Sequence, residues 1–382
     1  MSLSEDLKKI VKGEVETDDS TIQKYSKDAS LFEVKPKAVV FPKNSEDVKK
    51  LVKFAAKKRG VSLTARSGGT DMTGGPLSES VVMSFTRHFN KVSVKNGAAI
   101  SEPGVWYRDF EKETLKKGYL LPSYPASREI CAIGGMVNNN SGGEKTLKYG
   151  KTEDYVTDLK VVLSDGKEYE IKKLSKKDLD KKMKGRGFES GIYKRVFNLL
   201  DKNYDLIKKS EPKVSKNSTG YNIWKVWDKK SGQFDLPKLL VGSQGTLGIM
   251  TEAKFKLVKA KPNSGLLVVF LKSFDILPEV VNRILPLGPA SFESFDDHTF
   301  KLAVKFFPQT SLSFAFKFLP ELWMALTGGI PKLILLAEFE GDSQDEVDSQ
   351  IKKAAESLAG LEVRTLFANT EKKARKYWVM RR

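Results

Sequence analysis

The sequence predicts an α+β chain of two domains, and three observations carry that prediction. Apolar residues switch repeatedly between helical spacing and strand-like alternation along a chain of 382 residues. The last third runs strand, helix, strand twice over, the order of a ferredoxin-like sheet with its helices on one face. Three separate glycine-rich loops precede it. The length admits two domains, or one large domain with a partial second, and a hydrophobic content of 40% supplies a core.

Residues 1–24 read as a lead-in helix and residues 25–259 as the first domain. Asn44 or Ser45 caps a helix to about Arg59, with Val48, Leu51, Val52 and Ala55 on one face and Gly60 as its stop. The strand "VSLTAR" follows and feeds the first glycine loop. "VVMSF" and "DLKVVLSDGKEYEIK" read as further strands, the second a hairpin turning at Asp165-Gly166. Helical patterns return at about 191–209. After Val258 come "SGLLVVFLKS" (strand), "DILPEVVNRIL" (helix), "ASFESF" and "KLILLAEFEG" (strands), "SQDEVDSQIKKAAESLAG" (helix) and "LEVRTLF" (strand). The boundary falls near Ala260 to Pro262, and residues 260–382 form the second domain.

Sixty-six Lys and Arg against 48 Asp and Glu leave a net charge of +18, suited to an anionic ligand, an acidic partner, nucleic acid or an anionic membrane surface. The lysines fall in helical patterns such as "EDVKKLVKFAAKKRG" and "LSKKDLDKKMKGRG", which read as solvated faces and not as a binding stripe. A lone Cys131 excludes an internal disulfide framework, and "MSLSEDLKKIVKG" lacks the apolar core of a secretory signal, so the cytoplasm is the default location. The apolar run "SLSFAFKFLPELWMALTGGIPKLILLAEF" is broken by Lys317, Pro320, Glu321 and Gly328-Gly329 and is no membrane span. It reads as an insert of the second domain, the alternative being a peripheral contact with the cytoplasmic face of a membrane.

The loops "VSLTARSGGTDMTGGP", "CAIGGMVNNNSGG" and "VGSQGTLGIM" combine glycines with Ser, Thr or Asn, so each can aim backbone N–H groups at one anion. The usual phosphate motifs are missing. "GTDMTGGP" lacks the Lys-Ser/Thr of a P-loop, no G-x-G-x-x-G occurs, and the near match "GRGFESG" follows a lysine-rich stretch instead of a strand. The alternative is three ordinary tight turns.

In order along the chain, "YSKDAS", "PKAVVFPKNSEDVKKLVKFA", "ARSGGTDMTGG", "PGVWYRDFEKETLKKGYLLPSYPAS", "CAIGGMVNNNSGG", "KYGKTEDYVTDLKVVLSDG", "STGYNIW" and "LLVGSQGTLGIMTEAKFKL" resemble the PCMH-type FAD-binding domain of the vanillyl-alcohol oxidase superfamily. Within it, the likeness is greatest to the D-lactate dehydrogenase, glycolate oxidase and D-2-hydroxyglutarate dehydrogenase group, and it runs from about Tyr25 to Leu257. The resemblance implies FAD between two α/β subdomains, with Arg66, Ser67, Gly68, Gly69, Thr70, Asp71 and Gly74 around the pyrophosphate. It places Pro125, Ala126 and Ser127 along the phosphate and ribityl side, and Ile133, Gly134, Gly135, Asn138, Asn140, Ser141 and Gly142 along the ribityl chain and flavin edge, with Gly245 and Ile249 closing over the cofactor. The family usually has Glu where this chain has Gln244; the amide keeps hydrogen bonding and removes a charge. Members that attach FAD covalently use a histidine in the first loop, which is absent here, so non-covalent FAD is expected. Cys131 is expected to be a buried structural thiol and not a redox group.

The chemistry so implied is hydride removal from a 2-hydroxy acid, with electrons passed to a quinone, an electron-transfer flavoprotein or an iron–sulfur protein. In "EKKARKYWVMRR", Arg381 matches the arginine that pairs with the carboxylate of the substrate; the alternative is a basic helix end that also carries Arg375. The family continues for more than a hundred residues with histidine-bearing signatures, so the chain reads as an N-terminal portion with a partial, truncated cap domain of the FAD-linked oxidase C-terminal type. The two histidines, His88 and His298, do not make a metal motif, and no metal is expected. Other readings are an alkyl-glycerone-phosphate synthase-like or sugar-lactone oxidase-like enzyme, an FAD-binding fragment without activity, and a nucleic-acid-binding protein, the last disfavoured by the three loops in order.

Overall fold

Asn44 begins the first long helix as its sequence position demands: its side chain accepts from the Asp47 N–H at 3.2 Å, and the helix runs Ser45–Lys57 before Gly60 turns the chain at φ +78°. The computed structural model describes residues 2–214, 217, 219–299, 301, 302, 331–370, 373, 374, 377 and 378. By its contacts the chain divides into one unit of residues 1–143 and 151–259 and another of residues 144–150 and 260–382.

In the first unit, strands Ala38–Phe41, Val81–Ser84 and Leu63–Arg66 pair in parallel, and Glu14–Glu16 adds an antiparallel edge. Parallel strands need cover on both faces. Leu7, Val48 and Leu51 cover one face of this sheet, and Tyr25 meets Val39, Phe41 and Val82 on the other. The expected lead-in helix is instead two helices, Leu3–Ile10 and Asp19–Tyr25, flanking the edge strand. Three strand residues are too few to show alternation, and Leu7, Val11 and Val15 commit the whole segment to the core.

A second, antiparallel sheet runs in the order Val92–Lys95, Ala98–Ser101, Ile249–Lys256, Val156–Val162, Glu168–Lys172. The hairpin at Asp165-Gly166 is present, with Gly166 at φ +71°. Its neighbour Ile249–Lys256 arrives from far along the chain. Between these strands the chain builds a lobe not separable in sequence. The strand pieces Leu174–Ser175, Trp227–Asp228 and Gln233–Phe234 and the helices Lys176–Met183, Phe188–Lys202 and Tyr204–Lys209 surround buried Leu179, Tyr193, Leu200, Trp227 and Phe234.

The second unit is the expected ferredoxin-like sheet. Its strands lie in the order Ser291–Asp296, Leu333–Gly341, Asn263–Leu271, Val363–Ala368, all antiparallel. Helices Leu277–Ile284 and Gln344–Ser357 cover one face, where Val280, Ile284, Val347 and Ile351 pack on Leu267, Val269, Leu335 and Ala337. Ala374, Tyr377 and Trp378 pack on Leu266, Val268 and Leu336 of the other. Cover on both faces explains the unbroken apolar runs. Residues 144–150 count with this unit because Lys145 ion-pairs with Glu340 and the Tyr149 hydroxyl donates to the same carboxylate at 2.7 Å. Most of the broken apolar run lies outside the described residues. No helix among the described residues is long and apolar enough to cross a membrane.

Asp47 ties the start of the chain to this frame. It is fully buried, and its carboxylate accepts from the N–H groups of Lys12, Gly13 and Lys43 at 2.9–3.0 Å. Asp47→Ala is expected to cost about 3 kcal/mol by leaving those donors unpaired, and Asp47→Asn less, as read from paired chemical denaturation curves.

Candidate functional site

The strand Leu63–Arg66 ends in the first glycine loop, and that loop forms one wall of a cavity of about 540 Å³ lying wholly within the first unit. A cavity of this size suits a small ligand or cofactor. Arg66, Ser67, Gly68, Gly69, Thr70 and Asp71 line it from this side, Pro125, Ala126 and Ser127 with Gly134, Gly135, Asn138 and Ser141 from the second loop, and Gly245 from the third.

Glycine is required where the loops meet. A Cβ on Gly134 would stand 2.3 Å from Ser67 Oγ, and one on Gly68 would stand 2.8 Å from the Ile130 carbonyl. Ser67 Oγ in turn donates to the Pro103 carbonyl, which also accepts from the Gly134 N–H. The first and second loops are thus stitched through Pro103. The second and third are stitched through Asn138, whose side-chain oxygen accepts from the Gly245 N–H at 3.1 Å while its amide donates to the Gly134 carbonyl.

The electrostatics point to an anion. The N–H groups of Gly68, Gly69 and Thr70 have no intramolecular acceptor among the described residues. Beside them the Arg66 guanidinium donates to the carbonyls of Tyr25 and Lys27 and lies over the Tyr25 ring at 5.0 Å, with no carboxylate at ion-pair distance among the described residues. Burial pulls its pKa below the ordinary arginine value. A half-buried cation beside free backbone donors is what a pyrophosphate requires. The residues present therefore fit the FAD that the sequence implies.

Several expected residues stand off this wall. Ile133 and Ile249 are buried, and Ile249 packs into the first core. Gly74 sits against the Phe32 ring, and its neighbour Gly75 lines the cavity in its place. Gly142 adjoins the lining Ser141. Asn140, at φ +46°, turns its side chain to Glu153. Arg381 lies outside the described residues. The cavity also recruits Pro103, Met136, Asn139 and Met250, which lie within the segments that resemble the family but were not expected at the site, and Phe85 and Ile130, which lie outside those segments. Gln244 lines it at φ +56°, held by its N–H on the Asn138 carbonyl and its amide on Asn139 Oδ1. A glutamate at this position could not donate that last bond.

Glu153 is the hidden support. It is 5% exposed, and its carboxylate accepts from the side-chain amides of Asn140 and Asn222 and from Lys225 Nζ, while its N–H donates to Asn140 Oδ1 at 3.0 Å. One of two adjacent carboxylates in "KTED", Glu153 gives no local sign of this role. His88 bonds Glu14 at 2.7 Å and is not among the cavity-lining residues. His298 is exposed; with Asp296 and Asp297 it forms the one ligand-like cluster among the described residues, but Asp297 is already shared by Lys301 and Lys332.

Two outcomes are expected. Burial pushes the Cys131 thiol up to about 12, so it should stay neutral from pH 6 to 10, and labelling by a disulfide reagent near pH 8 should be at least about tenfold slower than for an ordinary thiol until denaturant is added. Glu153→Ala should cost about 3 kcal/mol, and Lys225→Ala, whose side chain is 46% exposed, well under half as much, both read from thermal denaturation.

Comparison with known proteins agrees with this geometry. The FAD binding domain family matches residues 36–172, and the C-terminal domain of FAD linked oxidases matches residues 261–382. The chain is 29% identical to the D-2-hydroxyglutarate dehydrogenase of Escherichia coli (strain K12), over 85% of this chain and 32% of that protein. It is 30% identical to the glycolate oxidase subunit GlcD of Bacillus subtilis (strain 168), over 76% of this chain and 52% of that protein. Identity to the D-lactate dehydrogenase of Archaeoglobus fulgidus is 27%, over 88% of this chain and 60% of that protein. The chain thus spans between about a third and three fifths of the length of these relatives. A solved structure of alkyldihydroxyacetonephosphate synthase superposes with a TM-score of 0.69 at 19% identity, covering 96% of this chain and 60% of that one, which shows a shared fold. The chain therefore belongs to the FAD-linked oxidases, carrying an FAD binding domain followed by the C-terminal domain of that family, with FAD as its cofactor.

Proposed function

We propose that this protein oxidises a D-2-hydroxy acid of the lactate, glycolate or 2-hydroxyglutarate class. The observation that carries the cofactor half of this reading is the Arg66 guanidinium beside the unpaired N–H groups of Gly68, Gly69 and Thr70. The names of the relatives carry the substrate half. Bound FAD supplies an acceptor for the hydride on the carbon that bears the hydroxyl. The first loop would hold the pyrophosphate. The walls from Pro125–Ser127 and Gly134–Ser141 would follow the rest of the cofactor, which is held without covalent attachment because residues 66–76 contain no histidine. Arg381 is assigned, from its sequence context, to the carboxylate of the substrate, where a guanidinium makes two parallel hydrogen bonds. The electrons pass to a quinone, an electron-transfer flavoprotein or an iron–sulfur protein. The likeness to the synthase is one of fold and does not carry its reaction.

The test is an absorption spectrum of the purified protein before and after acid precipitation, followed by anaerobic addition of D-lactate, glycolate and D-2-hydroxyglutarate. Flavin bands that leave with the supernatant and bleach with one acid are expected. A colourless protein that FAD does not reconstitute overturns the cofactor assignment, and bands that none of the acids bleaches overturn the substrate class. Gly69→Val would place a branched side chain at φ +67° against the guanidinium of Arg66. It should weaken FAD binding at least about tenfold in a fluorescence titration.

A further inference from the structure

The positive charge of the chain is not spread evenly. Residues 172–230, the lobe between the strands of the second sheet, contain eighteen Lys and Arg against seven Asp and Glu, a net +11 of the total +18. The sequence presents these lysines as solvated helix faces, but the fold brings a group of them together. Lys184, Arg186 and Lys194 line one open cleft of about 590 Å³ between the helices Lys176–Met183 and Phe188–Lys202. All three are exposed, and none makes an ion pair among the described residues. By contrast Asp180, on the same cleft, is already paired with Lys176.

This lobe is also bonded to the flavin cavity. The Tyr221 hydroxyl shares a hydrogen bond of 2.8 Å with Thr246, the residue after the cavity-lining Gly245. Asn222 and Lys225 both reach Glu153, which holds Asn140 of the second loop. We infer that the lobe is the docking surface for an acidic electron-accepting protein. The inference rests on the flavoenzyme reading and chooses among its acceptors. Oxidation of a hydroxy acid to the oxo acid releases two electrons and two protons, and the electrons must leave to an acceptor. Electron-transfer encounters bury little area and are steered by charge. Unpaired surface cations serve such encounters well, because no internal partner must first be released. A concave cleft receives protruding carboxylates better than a flat lipid surface does. Tyr193, Trp224, Trp227 and Phe234 are buried in the core of the lobe, and although Phe188 and Tyr221 are exposed, no aromatic ring is among the residues that line the cleft, where nucleic acid bases would need one on which to stack.

The test uses the full chain and an acidic flavodoxin as the probe, immobilised for biolayer interferometry. The native protein should bind it at about 20 mM salt and at least about tenfold more weakly at about 200 mM. The triple variant K184E/R186E/K194E should lose at least about tenfold in affinity at low salt and most of the salt dependence. K35E/K50E/K57E, with the same change in net charge outside the lobe, should bind as the native protein does. Equal weakening in both triple variants would reduce the effect to net charge and overturn the inference. No binding by the native protein would also overturn it, as would retention of phosphatidylglycerol vesicles in place of flavodoxin, lost in K184E/R186E/K194E, which would assign the lobe to a membrane. The flavin spectrum of each sample is recorded separately. Loss of flavin with flavodoxin binding intact would sink the cofactor reading alone.

Discussion

One buried carboxylate organises the walls of the cavity. Glu153 lies beneath the second glycine loop with almost no access to water, and a charge in that position is tolerated only when its lone pairs are met. Asn140, Asn222 and Lys225 meet them. The partners come from two distant parts of the chain. Asn140 belongs to the second glycine loop, whereas Asn222 and Lys225 both belong to the basic lobe, next to the Tyr221 that reaches Thr246. The carboxylate therefore sets the position of the second loop, which in turn places Asn138 where it binds the Gly245 N–H of the third.

Around that anchor the glycines serve by leaving space. Gly68 and Gly134 bring two loops within backbone contact, so the cavity wall is made largely of peptide groups, and Arg66 adds a cation whose hydrogen bonds go to carbonyls and not to a carboxylate. A site of this kind recognises an anion without any of the familiar phosphate motifs. The same economy explains why Asn138 and Asn140 differ. Asn138 faces the cavity and stitches two loops, whereas Asn140 takes a left-handed backbone conformation and turns its amide to the anchor.

Local patterns made much of the fold legible. The capped helix after Asn44, the hairpin at Asp165-Gly166 and the doubled strand-helix-strand order of the second unit each depend on residues close in sequence, where periodicity and turn chemistry act directly. The membership of the N-terminal segment in the first core was not legible, because three strand residues show no period. Nor was the assignment of residues 144–150 to the second unit, which depends on Glu340, nearly two hundred residues away.

The amino-acid sequence alone determined the class of fold, the three anion-seeking loops and the excess of positive charge, since composition and short-range spacing are its own properties. Tertiary structure decided which loop residues face the cavity, gave Glu153 its role and gathered Lys184, Arg186 and Lys194 onto one cleft. The cavity walls depend on distant segments brought side by side, as Ile249–Lys256 is with Val156–Val162, whereas the cleft needs only the packing of two successive helices. A side chain's partners follow from that register, and no local pattern records it.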